Sequence, residues 1–270
     1  MTRAAEAEHV SQPSVSQAVR ELETELGTPL FHRVGRRVVL SAAGEALVEP
    51  ARQVLRDVDT GRAAVEAVAG LTAGRLDLAA LSTLAVDPVA PLVGAFRVAH
   101  PGVSIALADP DDAAAVVDLV ASGACELGIT AEPVVAPELT SYSLGTQDLL
   151  AVLPPGSNAS HTMAIATLAG FPLVTAPAGT TTRTQLEEAF ADARVNPRIA
   201  VVASQREAIL PLVLAGAGAT LFPRPLAEQA ARLGATVVAL RPHLSRPVHL
   251  FHRRGPLSPA AAAFVRLAVA

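Results

Sequence analysis

The chain has 270 residues, of which 51% are hydrophobic and 17% are charged, and its formal net charge at pH 7 is -4. This length is more than one ordinary core needs and predicts a small domain beside a larger one. The negative net charge argues against nucleic-acid binding by the whole surface, so any contact with DNA must come from a local cluster of basic residues.

Other compositional features indicate a cytoplasmic bacterial protein. The sequence has no apolar run long enough to span a bilayer and no signal-peptide pattern, so we expect no contact with a membrane. The single cysteine, Cys125, cannot form an intramolecular disulfide, and its apolar surroundings predict burial. All 21 basic residues are arginine, as we expect for a protein from a GC-rich bacterial genome.

Residues 1–40 combine short helical patterns with a basic hairpin. Ser11 is placed to cap a helix that has Pro13 in its first turn. Apolar residues recur on one face of this helix, and Ser14, Gln17 and Arg20 lie on another. Glutamine can pair with adenine, and arginine with guanine or phosphate, so this face is suited to contact DNA. The same periodicity also fits an ordinary solvated helix face.

The hairpin carries three arginines within five residues, namely Arg33, Arg36 and Arg37. On a short loop, each can neutralise a phosphate and release counterions. These residues therefore favour a wing that contacts DNA. A solvated surface hairpin is the alternative that the residues alone leave open.

Residues 41–70 form one long helical pattern. Apolar and small residues recur four and three apart, which is the heptad repeat of a helix that packs against a partner helix. The repeat consists of Leu47, Ala51, Val54, Val58, Gly61, Val65 and Val68. We expect this helix to dimerise. Packing of the apolar stripe against its own domain is the alternative.

From residue 74 onward, short apolar runs alternate with helix-length segments, which predicts an α/β architecture. We expect two lobes that face each other across a cleft. Lobe I comprises residues 74–147 and 247–270, and lobe II comprises residues 148–246. The chain would return to lobe I through an apolar run at residues 248–251.

Ligands of such folds bind at the carboxyl ends of strands, where helix N-termini favour anions. Hydroxyl side chains follow three predicted strand ends, and they suit a carboxylate or a neutral polar group. The candidates are Ser82, Thr83, Thr130, Thr180, Thr181 and Thr182. For the three consecutive threonines, ordinary helix capping is an alternative that needs only one hydroxyl.

Several spaced motifs of the first 45 residues resemble the LysR-type transcriptional regulators. They are Thr2-Arg-Ala-Ala-Glu, His9-Val-Ser-Gln-Pro-Ser-Val-Ser-Gln, Leu22-Glu-Thr-Glu-Leu-Gly, Pro29-Leu-Phe-His-Arg and Leu40-Ser-Ala-Ala-Gly. Their number and order make the resemblance specific. It implies a recognition helix that contains Ser11, Gln12, Pro13, Ser14, Ser16, Gln17 and Arg20, and a wing that contains Arg33, Arg36 and Arg37.

The resemblance also implies a fold and partners. The expected α/β protein has a partial winged helix-turn-helix at residues 1–40, a linker helix at residues 41–73, and a two-lobed effector domain like the periplasmic binding proteins. Family similarity favours a cleft site at Thr83, Thr130 and Thr181, and it adds Phe222 and Pro223 as lining residues. The expected partners are operator DNA, a small and anionic effector, further copies of the chain in a homodimer or homotetramer, and RNA polymerase if the protein is an activator.

One departure from the family pattern concerns the N-terminus. Members similar to this chain begin with a further helix that packs behind the recognition helix, and we expect that helix to be missing ahead of residue 2. Two functions then stay open. One is a DNA-binding regulator that responds to a metabolite. The other is a two-lobed small-molecule-binding protein that does not bind DNA because its first helix is missing.

Enzymatic chemistry is not indicated. The sequence shows no nucleophile elbow, phosphate loop or zinc-protease motif, so we expect no catalytic residues and no cofactor. His249 and His252 are three apart in a predicted strand and face opposite sides of it, which argues against a shared metal. An exported solute-binding protein would share the two lobes, but it would carry a signal peptide and not the N-terminal motifs.

Overall fold

The computed structural model describes residues 10–34, 37–67 and 74–270 of the chain. Two compact units are formed by residues 1–59 and residues 60–270. The expectation that a first helix is missing ahead of residue 2 lies outside the described residues.

The first unit begins its described part with helix α1 (Gln12–Leu26). The Ser11 hydroxyl caps this helix by accepting the N–H of Ser14 at 3.3 Å, as the sequence predicts. The helix ends at Gly27, whose φ of 67° is a left-handed conformation that glycine adopts without strain. Strands β1 (Phe31–Val34) and β2 (Arg37–Leu40) then pair as an antiparallel hairpin.

Helix α2 (Ala42–Ala67) follows the hairpin, and Pro50 lies inside it. The Ser41 hydroxyl accepts the N–H of Gly44 at 3.0 Å and donates to the carbonyl of Pro29 at 2.7 Å. One buried side chain therefore joins the start of α2 to the loop that precedes the hairpin.

The second unit opens with a parallel sheet and its crossover helices. Strand β3 pairs in parallel with β4 on one side and with β5 on the other, as βαβ connections require. Its elements are β3 (Gly74–Ala80), α3 (Ser82–Leu84), a π-helical segment (Ala85–Val89), α4 (Ala90–Ala99), β4 (Val103–Ala108), α5 (Ala113–Ala121) and β5 (Leu127–Thr130).

Strand β6 (Leu139–Leu153) leads from this region into a second group of elements. They are β7 (Thr162–Ala164), α6 (Ile165–Leu168), β8 (Pro172–Thr175), α7 (Thr181–Asp192), β9 (Arg198–Val202), a 3-10 turn (Arg206–Ala208), α8 (Ile209–Leu214), β10 (Thr220–Pro223), α9 (Arg224–Arg232) and β11 (Thr236–Arg241). Strand β12 (Ser245–Arg253) returns to the first group, and helix α10 (Pro259–Val269) follows it.

Separate hydrophobic cores define the two lobes. The core of lobe I buries Phe96, Phe251 and Phe264 together with the β3–β5 strands. Lobe II has a core on each face of its part of β6. Because side chains alternate along a strand, Leu153 packs with Phe190 in one core and Val152 packs in the other.

The lobes share two long strands. Strands β6 and β12 pair antiparallel from Asp148 and Ser245 at one end to Leu139 and Arg253 at the other, with an irregularity between Pro247 and His249. Strand order in the large sheet is β4-β3-β5-β12-β6-β11-β7, and β10 also pairs with β6. Any movement of one lobe against the other must therefore bend this strand pair. No helix in the described part of the chain is long and apolar enough to cross a membrane.

We predict that Gly128→Ala destabilises the chain. A Cβ at this position would lie 2.4 Å from Cζ of the buried Phe251 ring and 2.8 Å from Cγ2 of Val120. Overpacking of this kind costs about 1–3 kcal/mol, which urea unfolding should show as a lower free energy of unfolding. Gly94→Ala is the matched control, because Gly94 lies in α4 with open space around it. Equal effects of the two substitutions would contradict the packing described for lobe I.

Candidate functional site

The polar face expected to read DNA lies on α1. Its side chains are exposed at Ser11, Gln12, Pro13, Ser14, Gln17 and Arg20 and half-buried at Ser16. Several of these side chains bond within the helix. Gln12 donates to the Ser16 hydroxyl at 2.7 Å, Gln17 donates to Glu21 at 2.9 Å, and Arg20 donates to the carbonyl of Ser16 at 3.1 Å. Exposed bonds of this kind exchange readily with water, so base edges or phosphates can replace them.

The hairpin is tied to α1 by a side chain that the sequence did not single out. Glu23 accepts the backbone N–H of Leu30 at 2.7 Å and that of Phe31 at 3.2 Å through one carboxylate oxygen. Charged acceptors form strong bonds to backbone N–H groups, so this contact holds the hairpin against the helix. The partners are seven and eight residues away, beyond the i+3 and i+4 spacing that helix patterns reveal.

The wing arginines are only partly described. Arg33 lies in β1 and Arg37 in β2, and the two strands form the expected hairpin. Their side chains, and the whole of Arg36, lie outside the described residues.

A cluster between the two lobes centres on Arg246, which opens β12 and is only 4% exposed. Its Nε donates to Oε1 of Gln147 at 2.8 Å, and Gln147 is its direct partner on the neighbouring strand β6. Its Nη2 donates to the Thr83 hydroxyl of lobe I at 2.8 Å, and its Nη1 donates to Oε1 of Gln185 in lobe II at 3.1 Å. One guanidinium therefore links both lobes and one shared strand.

None of these hydrogen-bond partners of Arg246 is a carboxylate. Burial lowers the pKa of Arg246 to about 10, and the charge of Asp87 opposes this shift. The guanidinium nevertheless stays protonated at neutral pH. The carboxylate of Asp87 does not bond to Arg246; it accepts the side-chain N–H of Gln147 at 2.8 Å. Gln147 therefore lies between the Asp87 carboxylate and the Arg246 guanidinium.

A small cavity lies against this cluster. Polar side chains of both lobes and apolar side chains of lobe II line it, namely Thr83, Leu149, Thr182, Gln185, Leu221, Pro223 and Arg246. Its volume is about 10 Å³, which is the space that one water molecule needs. The cleft is therefore shut almost completely in this structure.

The sequence-derived candidates for this cleft divide into two groups. Thr83, Thr182 and Pro223 line the cavity. Ser82 is next to Thr83, and its hydroxyl accepts a bond from Arg206 at 3.0 Å. Thr181 is buried in the first turn of α7.

The remaining candidates have other contacts. Thr130 is fully buried and donates to the carbonyl of Glu132 at 2.9 Å, away from the cavity lining. Thr180 caps α7 by accepting the N–H of Arg183, so helix capping accounts for the first of the three threonines. Phe222 is not among the residues that line the cavity. Alternation along β10 places Phe222 in a core of lobe II, and its neighbour Leu221 lines the cavity instead.

Neither metal nor thiol chemistry is indicated. Among the described residues, no group of three or more His, Cys, Asp or Glu side chains could hold a metal ion. Cys125 is buried as predicted, and burial raises the pKa of its thiol to about 11. A thiol with so high a pKa is a poor nucleophile at neutral pH.

Comparison with known proteins matches both parts of the chain. The family model for the LysR substrate binding domain matches residues 69–270, and that for the bacterial regulatory helix-turn-helix protein of the lysR family matches residues 1–45. The RuBisCO operon transcriptional regulator of Allochromatium vinosum is 32% identical over 97% of this chain and 88% of its own. The HTH-type transcriptional regulator IlvR of Caulobacter vibrioides is 32% identical over 98% of this chain and 90% of its own. A full-length OxyR variant from Pseudomonas aeruginosa has a TM-score of 0.78 at 25% identity, over 99% of this chain and 87% of that one.

Proposed function

The chain belongs to the LysR family of DNA-binding transcriptional regulators, and we propose that its effector is a small carboxylate that binds Arg246 between the two lobes. The observation that carries this proposal is the buried guanidinium of Arg246, whose described hydrogen-bond partners are all neutral. A buried cation without an opposite charge in contact is costly, and a ligand carboxylate would supply that charge.

The neighbours of Arg246 suit such a ligand. A carboxylate can accept two parallel bonds from a guanidinium, and here it would replace the weaker bonds to Thr83 and Gln185. Leu149, Leu221 and Pro223 offer apolar surface for the body of the ligand. Because the cavity holds only about 10 Å³, the lobes must separate before the ligand enters.

We infer that this movement is the regulatory signal. Separation of the lobes bends the β6–β12 pair that both lobes share, so the ligand can bias the chain between two arrangements. The linker helix α2 would carry the change to the DNA-reading segment as an altered spacing of half-sites or an altered bend in the operator.

The DNA interface that we propose combines the exposed face of α1 with the wing arginines. Helix-turn-helix proteins usually read two half-sites as two-fold dimers. Val54, Val58 and Val65 of the heptad repeat are exposed on α2 of the single chain, which supports a partner helix there. We therefore propose a homodimer or homotetramer that acts on operator DNA in the cytoplasm and contacts RNA polymerase if it activates transcription.

Titration of an operator selected from random DNA tests this interface. Gln17→Ala should cost about 1–3 kcal/mol of discrimination at one base position, because a lost base contact relaxes specificity there. Arg37→Ala should weaken binding to all sequences and lower the salt dependence by about one phosphate contact. Arg75→Ala is the matched control, since Arg75 pairs with Asp77 inside lobe I. If Gln17→Ala and Arg37→Ala bind like the control, the proposed interface is wrong.

The number of chains bound to each operator in the same titration tests the dimer.

A thermal-shift screen of small carboxylates, amines and neutral metabolites tests the effector proposal. We expect at least one carboxylate to raise the melting temperature of the wild-type chain, because a ligand that binds only the folded state stabilises it. Arg246→Met should abolish that shift, and Arg75→Met should preserve it. Gln185→Glu should also abolish this shift, because the new carboxylate would itself pair with the Arg246 guanidinium. A carboxylate that stabilises wild type and Arg246→Met equally would contradict the proposal.

A further inference from the structure

A second arginine joins the two lobes at a place that the proposed anion site does not use. Arg206 belongs to lobe II, in the 3-10 turn that leads into α8. Its Nη1 donates to the Ser82 hydroxyl at 3.0 Å and to Oδ1 of Asp109 at 3.1 Å, and its Nη2 donates to the carbonyl of Asp111 at 2.9 Å. All three partners lie at the carboxyl ends of lobe I strands, Ser82 in the first turn of α3 after β3 and Asp109 and Asp111 in the loop after β4.

The surroundings of Arg206 make this contact stronger than an ordinary surface ion pair. The Arg206 side chain is only 18% exposed, although Asp109 and Asp111 are largely open to solvent. One guanidinium here contacts two different segments of the opposite lobe through four oxygen atoms, including Oδ1 of Asp111 at 3.7 Å. A planar guanidinium with several donors loses little freedom for each bond that it makes.

Two arginines, Arg206 and Arg246, therefore bond to the same turn of lobe I, the start of α3. Arg206 bonds to Ser82, and Arg246 bonds to the next residue, Thr83, at the N-terminus of α3. Arg246 lies inside the cleft, where an incoming carboxylate would compensate its charge. Arg206 already has carboxylate partners, so it gains no new charge partner from a ligand at Arg246.

We propose that Arg206, Ser82, Asp109 and Asp111 form a strap that holds the two lobes together and must release before the effector enters. Ligand pockets usually measure about 300–1,000 Å³, whereas the present cavity measures about 10 Å³. The lobes must therefore move apart by several ångströms, and bonds of 2.9 to 3.1 Å across the cleft cannot persist through that movement. The strap therefore stabilises the arrangement in which the lobes lie close together, and it opposes ligand binding.

The distance between the lobes in the ligand-free chain tests the strap. Spin labels on Val98→Cys and Leu233→Cys report it, because these exposed residues lie on α4 of lobe I and at the end of α9 of lobe II. Cys125→Ser removes the native thiol. We expect Arg206→Met to lengthen and broaden the distance distribution, with the open fraction raised about three- to tenfold, as the loss of a partly buried ion pair implies.

A charge exchange and a matched control complete the test. Arg206→Asp alone should open the cleft, because it places three carboxylates together, and the added Asp109→Arg should restore most of the short distance. Arg75→Met removes an ion pair within lobe I and should leave the distance unchanged. If Arg206→Met keeps the wild-type distribution, or if the exchange restores nothing, the strap does not exist.

The regulatory part of this inference rests on the proposed anion site, and a binding measurement separates the two. For a carboxylate that stabilises the wild-type chain, Arg206→Met should lower the concentration of half-maximal thermal shift about three- to tenfold. An unchanged or higher concentration would overturn the claim that the strap opposes binding. If the spin-label distances change as expected but no carboxylate stabilises the wild-type chain, the strap stands and the anion site fails.

Discussion

A positive charge buried between two lobes is the interaction on which the effector domain depends. Arg246 is almost fully buried, yet its hydrogen bonds go to two glutamine side chains and a threonine hydroxyl. A protein that needed only stability could place a carboxylate or an apolar residue at this position. The guanidinium in the cleft therefore has no negatively charged group in contact with it, and an anionic ligand would supply one.

The fold supports this charge with two features. Arg246 and Gln147 are direct partners on β12 and β6, the strands that both lobes share, so the backbone fixes their spacing. Gln147 also accepts from Arg246 while its amide donates to Asp87. The amide group therefore keeps the acidic side chain near enough to favour the charged guanidinium and too far away to replace a ligand.

The same shut cleft depends on contacts of a different kind at its edge. The strap that we propose pairs Arg206 with the carboxylates of Asp109 and Asp111, so it would stabilise the close arrangement of the lobes through charges that the chain itself supplies. The two arginines would then have opposite effects on binding, since Arg246 attracts the effector and Arg206 delays its entry. Such a balance would give the regulator a defined resting state and a finite threshold for its signal.

Local signals in the sequence predicted the N-terminal unit and the order of the α/β elements well. The cap at Ser11, the stop at Gly27 and the basic hairpin each depend on neighbouring residues. The cleft was harder to predict, because Arg246 bonds to residues that are 61, 99 and 163 positions away. The place of Phe222 in a core of lobe II was also hard to predict, because the register of β10 depends on its pairing with β6, which the sequence alone does not show.

A crystal structure of the effector domain, residues 74–270, with a stabilising carboxylate would show whether Arg246 binds the effector, and the full chain serves if this part does not fold alone. We expect a ligand carboxylate within hydrogen-bond distance of the Arg246 guanidinium, with the bonds from Arg206 to lobe I broken. A ligand bound elsewhere, or one bound in the cleft with an uncharged group against Arg246, would contradict it.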